Sequence, residues 1–246
     1  MRGGGARVRS AAEVSDGELA AWYGRADRPW LRANFVASAD GAVAVGGMST
    51  GLSGAQDRRL LKLLRMLCDG LLVGANTLRV EQYRPLTLDA DRRRWREERG
   101  LAAYPRLVVV SGSLDLDPDL PALAQAPVRP LVLTSPDAPT ARRDRLAGVA
   151  DVVAAPDLRA GLALLRTRGL DQLLCEGGPS LLGSLTADDL VDELCLTVSP
   201  LLAGAGAGRI TAGAPHPPRT LAHVHTHTDP EGFLYLRHTR PEAPTS

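Results

Sequence analysis

Glu176-Gly177-Gly178-Pro179 is the part of the chain best equipped for chemistry. Leu173, Leu174 and Cys175 make an apolar run of strand length, the glycine pair breaks it, and Pro179 suits the first turn of a helix reaching about Leu185. Helix N-terminal N–H groups are unsatisfied and partly positive, and glycines let a phosphate approach the backbone, so this turn reads as an anion site. Glu176 is repelled by such an anion unless it faces another group. The pattern therefore implies two ligands, a phosphorylated cofactor on the glycines and a substrate on Glu176. An ordinary strand-to-helix turn with a solvated glutamate gives the same residues.

A second strand-glycine-helix start follows the same logic: Gly70 to Val73, then Gly74-Ala75-Asn76-Thr77 and a brief helical stretch to Glu81. Two such turns offer two helix N-termini to one pyrophosphate. Asp40 is a third chemical residue, in Ser38-Ala39-Asp40-Gly41 after an alternating strand from Leu31 to Ala37; a plain turn explains it equally well. Asn34 and Asn76, the only asparagines, both fall in these segments, a hint that their side chains are needed. The single lysine, Lys62, lies inside an amphipathic helix, which argues against Schiff-base chemistry, and no GxxxxGK[ST] loop supports phosphoryl transfer.

The elements that position these residues alternate between strand and helix. Val14 to Tyr23 suits a short helix capped by Ser15, with residues 1–10 disordered. Gly46 to Gly51 is a flexible polar loop. Ser53 and Gln56 form a capping box for a helix to about Asp69 whose Leu60, Leu63, Leu64 and Leu67 pack on the sheet. Arg65 lies off that stripe, where most arginines are solvated, and the charged run from Asp89 to Arg99 reads as a solvated helix or excursion. Strands at Arg106 to Val110, Leu131 to Thr134 and Asp151 to Ala154 alternate with helices at about 138–147 and 158–167. That alternation predicts an α/β fold, a largely parallel sheet covered on both faces. Glu193 to Val198 and Gly232 to His238 close it as antiparallel strands. Gly204 to Arg209 imitates a dinucleotide fingerprint but is followed by Gly213, Pro215, Pro217 and Pro218 where a helix should open, so it reads as a mobile loop. His223, His225 and His227 alternate and share a strand face; no carboxylate or cysteine completes a metal site, and an exposed or subunit-interface strand is the reading adopted.

Composition removes whole classes of function. With 246 residues and a net charge of +1 there is no electrostatic case for nucleic acid or an anionic membrane, and no apolar run approaches the ~20 residues of a membrane span. Cys68, Cys175 and Cys195 stand far apart and suit buried thiols in a reducing, cytoplasmic compartment.

Taken together, Arg28 to Leu86 and the Cys175-to-Ser180 turn resemble the reductase domain of riboflavin biosynthesis. The most specific parts are Asn34 to Gly41, the Gly74-Ala75-Asn76-Thr77 turn with Glu81 behind it, and the Glu-Gly-Gly-Pro turn. The resemblance implies a dihydrofolate-reductase-like fold over residues 28–240, with 1–27 an extension and 241–246 a tail. It implies an NADPH-dependent reductase of a ribosylaminopyrimidine 5′-phosphate, commonly a homodimer. The fused deaminase of many relatives has no counterpart, since no HxE and PCxxC pair occurs, so a stand-alone reductase is expected. In that chemistry the ribose opens to an imine at C1′, which takes a hydride and becomes a ribitylamine.

By the same resemblance Gly74, Ala75, Asn76 and Thr77, with Gly177, Gly178, Pro179, Ser180, Leu181 and Leu182, hold the cofactor pyrophosphate and its neighbours. Val36 and Gly51 border the nicotinamide, Glu81 lies near the cofactor, and Ser111, Gly112 and Thr134 lie by the 2′-phosphate. Ser49 and Arg65 match substrate positions, Arg84 is an additional phosphate partner, and Glu176 bonds the pyrimidine. Asp40, or a water it holds, is the candidate for proton traffic. Ala39 and Gly51-Leu52 depart from the family pattern, on the substrate side. Reduction of dihydrofolate or another pteridine-like or secondary-metabolite substrate, and a catalytically silent NADPH-binding protein, are the competing readings.

Overall fold

Runs of four or five apolar residues form the middle of the sheet, and longer two-faced strands form one edge. The computed structural model describes residues 9–10 and 14–241. In chain order the elements are β1 Arg9–Ser10, α1 Asp16–Tyr23, β2 Trp30–Ser38, α2 Ala55–Leu67, β3 Gly70–Gly74, α3 Ala75–Val80, α4 Ala90–Glu97, β4 Arg106–Val110, α5 Pro121–Ala124, β5 Leu131–Thr134, α6 Thr140–Leu146, β6 Asp151–Ala154, α7 Leu158–Arg166, β7 Gln172–Cys175, α8 Pro179–Ala187, β8 Glu193–Ser199, β9 Ala222–Thr228 and β10 Leu234–Thr239, with a 3-10 turn at Ser49–Leu52.

The ten strands make one sheet in the order β1-β9-β10-β8-β2-β7-β3-β4-β5-β6. From β8 through β6 all neighbours are parallel, while β10 pairs antiparallel with both β8 and β9. The expected α/β class and the antiparallel closing strands are therefore present. Strand β7 returns late in the chain and slots between β2 and β3. The carboxyl ends of β2, β7 and β3 thus open side by side where the winding changes direction, the place open parallel sheets use for ligands.

Alternation along the central strands divides the core. Leu71 and Val73 of β3 join one cluster with α1, α2, α5 and α6, whereas Leu72 joins the other with α7 and α8. Leu60, Leu63, Leu64 and Leu67 of α2 are all buried, as their spacing predicts.

Several local expectations give way. Arg9 and Ser10 are in a strand, paired parallel with β9; residues 1–8, 11–13 and 242–246 lie outside the described residues. Helix α1 is capped by Ser15, with Glu18 completing a capping box, and its Leu19, Ala20 and Tyr23 are buried in the main core. Ser53 does not cap α2: Gly54 holds that position without a side-chain bond, because the Ser53 hydroxyl is spent on the Asp57 carboxylate. The charged α4 is not simply solvated, since Arg96 is buried and its Nη1 donates to the carbonyls of Met66 (2.7 Å) and Cys68, capping the end of α2. Within β9, His227 stacks on Trp22 at 4.4 Å and His225 meets the edge of Tyr23 at 5.3 Å, so α1 covers the inner part of the histidine strand. Among the described residues no three His, Cys, Asp or Glu side chains are placed to share a metal ion. The glycine-rich segment after β8 opens no helix and is tethered, Gly204 N–H donating to Asp40 and Ala212 N–H to the Pro179 carbonyl at 3.0 Å. No helix among the described residues is long and apolar enough to cross a membrane.

One charged joint lies deep in this scaffold. Glu193 is fully buried at the start of β8, taking Nε of Arg32 at 2.8 Å, Nε of Arg237 at 2.7 Å and the Trp30 indole N–H at 2.8 Å. Burial alone pushes this carboxyl up, but Arg32 and Arg237 outweigh it and hold it at about 2.

Candidate active site

The two glycine turns, at 74–77 and 177–180, lie against each other because β7 pairs with β3. Gly74 N–H donates to the Gly177 carbonyl at 2.7 Å, and Glu176 N–H to Leu72 at 3.0 Å. Gly177 is in the left-handed region at φ 91° and the Gly177–Gly178 peptide is cis. A Cβ on Gly178 would collide with Oγ1 of Thr77, and one on Gly177 would reach 3.1 Å from the Phe35 ring. Glycine at both positions lets the first turns of α3 and α8 pack this closely. Gly74 is the N-cap of α3, with Ala75, Asn76 and Thr77 in its first turn, and Pro179 opens α8. Ser180 is exposed, while Leu181 and Leu182 are buried, and the Leu182 N–H donates to the Gly178 carbonyl at 3.0 Å.

Glu176 follows β7 on the same sheet face as Asn34, since Ala33 pairs with Cys175. Its side chain is 5% exposed and is gripped by Arg65 of α2. Arg65 Nε donates to Oε1 at 2.7 Å and Nη2 to Oε2 at 2.6 Å, and the Tyr83 hydroxyl donates to Oε2 at 2.8 Å. Burial works against the Arg65 cation, but the Glu176 charge more than restores it. Tyr83 is pushed well above its ordinary value by burial and then by Glu176, so it stays a donor. Arg65 and Glu176, expected as two separate substrate contacts, hold each other.

Asp57 was not anticipated. It is buried in the first turn of α2, accepting from the hydroxyls of Ser53 and Thr197, and Thr197 pairs with Val36 on the neighbouring strand. Burial pushes the Asp57 carboxyl up against those bonds, and Glu176 adds a smaller push. Spacing could have found it: positions 57, 61 and 65 lie four apart on one helix edge. Helix α2 thus carries a carboxyl group and a guanidinium along one edge, and on β2 the Asn34 Oδ1 is buried with no partner among the described residues.

Asp40 is in the turn after β2, exposed, bonded by the Ser38 hydroxyl and by the N–H groups of Ala203 (3.1 Å) and Gly204 (2.8 Å). The Ser38 bond first, then the two backbone donors, hold its carboxyl at about 2. The two backbone bonds fasten loop 39–41 to loop 201–204.

The remaining expected residues fall around this centre. Val36 is half-buried on β2, and Gly51 is exposed in the 3-10 turn. Ser49 N–H donates to Glu81 at 2.9 Å, which ties that turn to the end of α3. At the outer strand ends the Ser111 hydroxyl accepts from Leu114 N–H at 3.0 Å, Gly112 is exposed, and the buried Thr134 hydroxyl has no partner among the described residues. Arg84 is exposed.

The profile of the RibD C-terminal domain matches residues 29–235. This chain belongs to that family. The chain is 32% identical over 187 residues to the 2,5-diamino-6-ribosylamino-4(3H)-pyrimidinone 5′-phosphate reductase of Methanothermobacter thermautotrophicus, covering 74% of the chain and 82% of the relative. The enzyme of the same name from Archaeoglobus fulgidus is 29% identical, over 72% and 83%. Among solved structures, a pyrimidine reductase-like protein from Corynebacterium diphtheriae superposes with a TM-score of 0.78 at 27% identity, over 87% of this chain and 93% of that one.

Proposed function

We propose that this RibD C-terminal domain is an NADPH-dependent reductase that converts a ribosylaminopyrimidine 5′-phosphate to its ribitylamino product. The observation that carries the reading is Glu176, fixed by Arg65 and Tyr83 at the strand switch point and adjoining the paired glycine turns. Family membership and relatives with that named activity support it.

The fit to a dinucleotide rests on the chain itself. The α3 and α8 starts, joined by the Gly74 N–H to Gly177 carbonyl bond, and an unpartnered Thr134 hydroxyl at a strand end suit a pyrophosphate and a phosphorylated ribose. A nicotinamide bound there supplies a hydride. Glu176 orients the pyrimidine: Oε1 accepts one bond and Oε2 two, so Oε1 retains capacity for a substrate N–H. Asp57, pushed toward its protonated form, is the group on α2 suited to hold a proton near the substrate, while Asp40 keeps the neighbouring loops in place. The same reading includes a homodimer in the cytoplasm; three buried thiols fit a reducing compartment.

Oxidation of NADPH at 340 nm, with the diamino pyrimidinone phosphate, its deaminated counterpart and dihydrofolate offered in parallel, tests this reading. Turnover of a pyrimidine alone is the expected result. Turnover of dihydrofolate alone would overturn the substrate assignment.

A further inference from the structure

Resting on the reductase reading, we propose that residues 201–221 form a strap that tunes cofactor affinity: its Ala212 clamps the start of α8, and Gly183 is the positioning residue that lets it seat. The strap joins β8 to β9 and contains no helix or strand. Segments longer than about 12–15 residues without such structure are uncommon in compact domains, and are mostly lids, binding loops or linkers. This one is pinned at three places. The Ala203 and Gly204 N–H groups donate to Asp40 at 3.1 and 2.8 Å, the Ala212 N–H to the Pro179 carbonyl at 3.0 Å, and Arg219 Nη2 to the Ala187 carbonyl at 3.0 Å. It therefore grips α8 at its first residue and at its last.

The glycine turn before α8 is thus held from two sides. The Gly74 N–H takes the Gly177 carbonyl at 2.7 Å from the α3 side, and Ala212 takes Pro179 from the strap side. Gly177 and Gly178 are the least restricted residues of the turn, so the aim of the first turn of α8 depends on both clamps. In that turn the Ser180 and Leu181 N–H groups have no acceptor among the described residues. Such open donors are what an anion meets at a helix start.

Gly183 shows what the strap requires of the helix. It is buried in the second turn of α8, where glycine is less favourable than alanine. A Cβ there would fall 2.0 Å from the Ala212 carbonyl oxygen and 3.2 Å from its nitrogen. Leu181, Leu182 and Leu185 anchor α8 in the core, whereas the strap leaves a groove of ≈ 150 Å³ lined by Leu182, Thr186, Ile210 and Thr211. A side chain at 183 would therefore lift the strap and leave the helix in place. Coupling of this kind is reciprocal: the factor that the seated strap adds to cofactor affinity, the cofactor adds to seating. One backbone hydrogen bond makes that factor about 3–10-fold.

The test pairs NADPH titration by calorimetry with trypsin cleavage after Arg209, which is exposed between the Gly204 and Ala212 pins, on the full chain. Gly183→Ala gives α8 a better helix former, and Ala212→Pro deletes the donor at an exposed position. Both should weaken NADPH binding about 3–10-fold and accelerate the cleavage. Saturating NADPH should slow cleavage of wild type by the same factor and leave both variants unprotected, which a merely structural loop would not show. Wild-type NADPH affinity in either variant that keeps its circular dichroism, or wild-type cleavage indifferent to NADPH, would overturn the strap and leave the reductase reading intact. The wild-type comparison decides alone if neither variant folds. Failure of wild type to bind NADPH would overturn the reductase reading itself, and the proposal with it.

Discussion

Two buried glutamates in this chain are held by arginine, and they do opposite things. Glu193 accepts from Arg32, Arg237 and Trp30, is wholly buried, and has no acceptor capacity left. Glu176 has one arginine and one tyrosine, keeps capacity at Oε1, and its arginine is 25% exposed. The first lies at the amino end of β8, under α1; the second follows the carboxyl end of β7, where the sheet changes its winding. Ion pairing is common to both. Saturation and position separate a joint that fixes strand order from a group able to meet a ligand.

The comparison breaks first at the joint. Glu193→Gln leaves two buried guanidiniums short of their counter-charge, and should cost about 3–5 kcal/mol in urea unfolding, whereas Glu176→Gln should cost less than half as much. The joint also carries a pH signature. Glu193 sits below its ordinary 4.5, so its contribution is complete above that value and is lost as pH falls through about 2. Acid unfolding of wild type should steepen in that window, and Glu193→Gln should flatten it.

At the site the ranking reverses. Glu176→Gln should lower kcat/KM for the pyrimidine about 100-fold with NADPH affinity nearly unchanged; a loss shared equally by both would mean that Glu176 is structural. Removing one donor to the same carboxylate, Tyr83→Phe, should cost about 10-fold in kcat/KM, read with circular dichroism to show an unaltered fold. The smallest effect belongs to Asp40→Asn. If Asp40 only fastens two loops, turnover stays within roughly twofold of wild type while protease cleavage near residues 201–209 accelerates. A loss of 100-fold would restore it to proton transfer.

Periodicity and punctuation were enough for most elements. The α2 leucine stripe, the short parallel strands and both strand-glycine-helix turns follow from residue types alone, because burial on one face or two imposes a local pattern. Glu176 was legible too, since a carboxylate beside an anion turn is locally incongruous. What failed were questions of partnership. Ser53 reads as a cap until Asp57 takes its hydroxyl; Arg96 reads as solvent-facing until the end of α2 needs a cap; the histidine strand reads as exposed or at a subunit interface, and α1 covers its inner part.

The sequence by itself determined which segments could be strands, helices and glycine turns, since those depend on contacts within a few residues. Tertiary structure decided that β7 inserts between β2 and β3, which seats one glycine turn on the other and sets Glu176 against Arg65, 111 residues away. No local pattern encodes that insertion; it arises from the joint burial of both sheet faces.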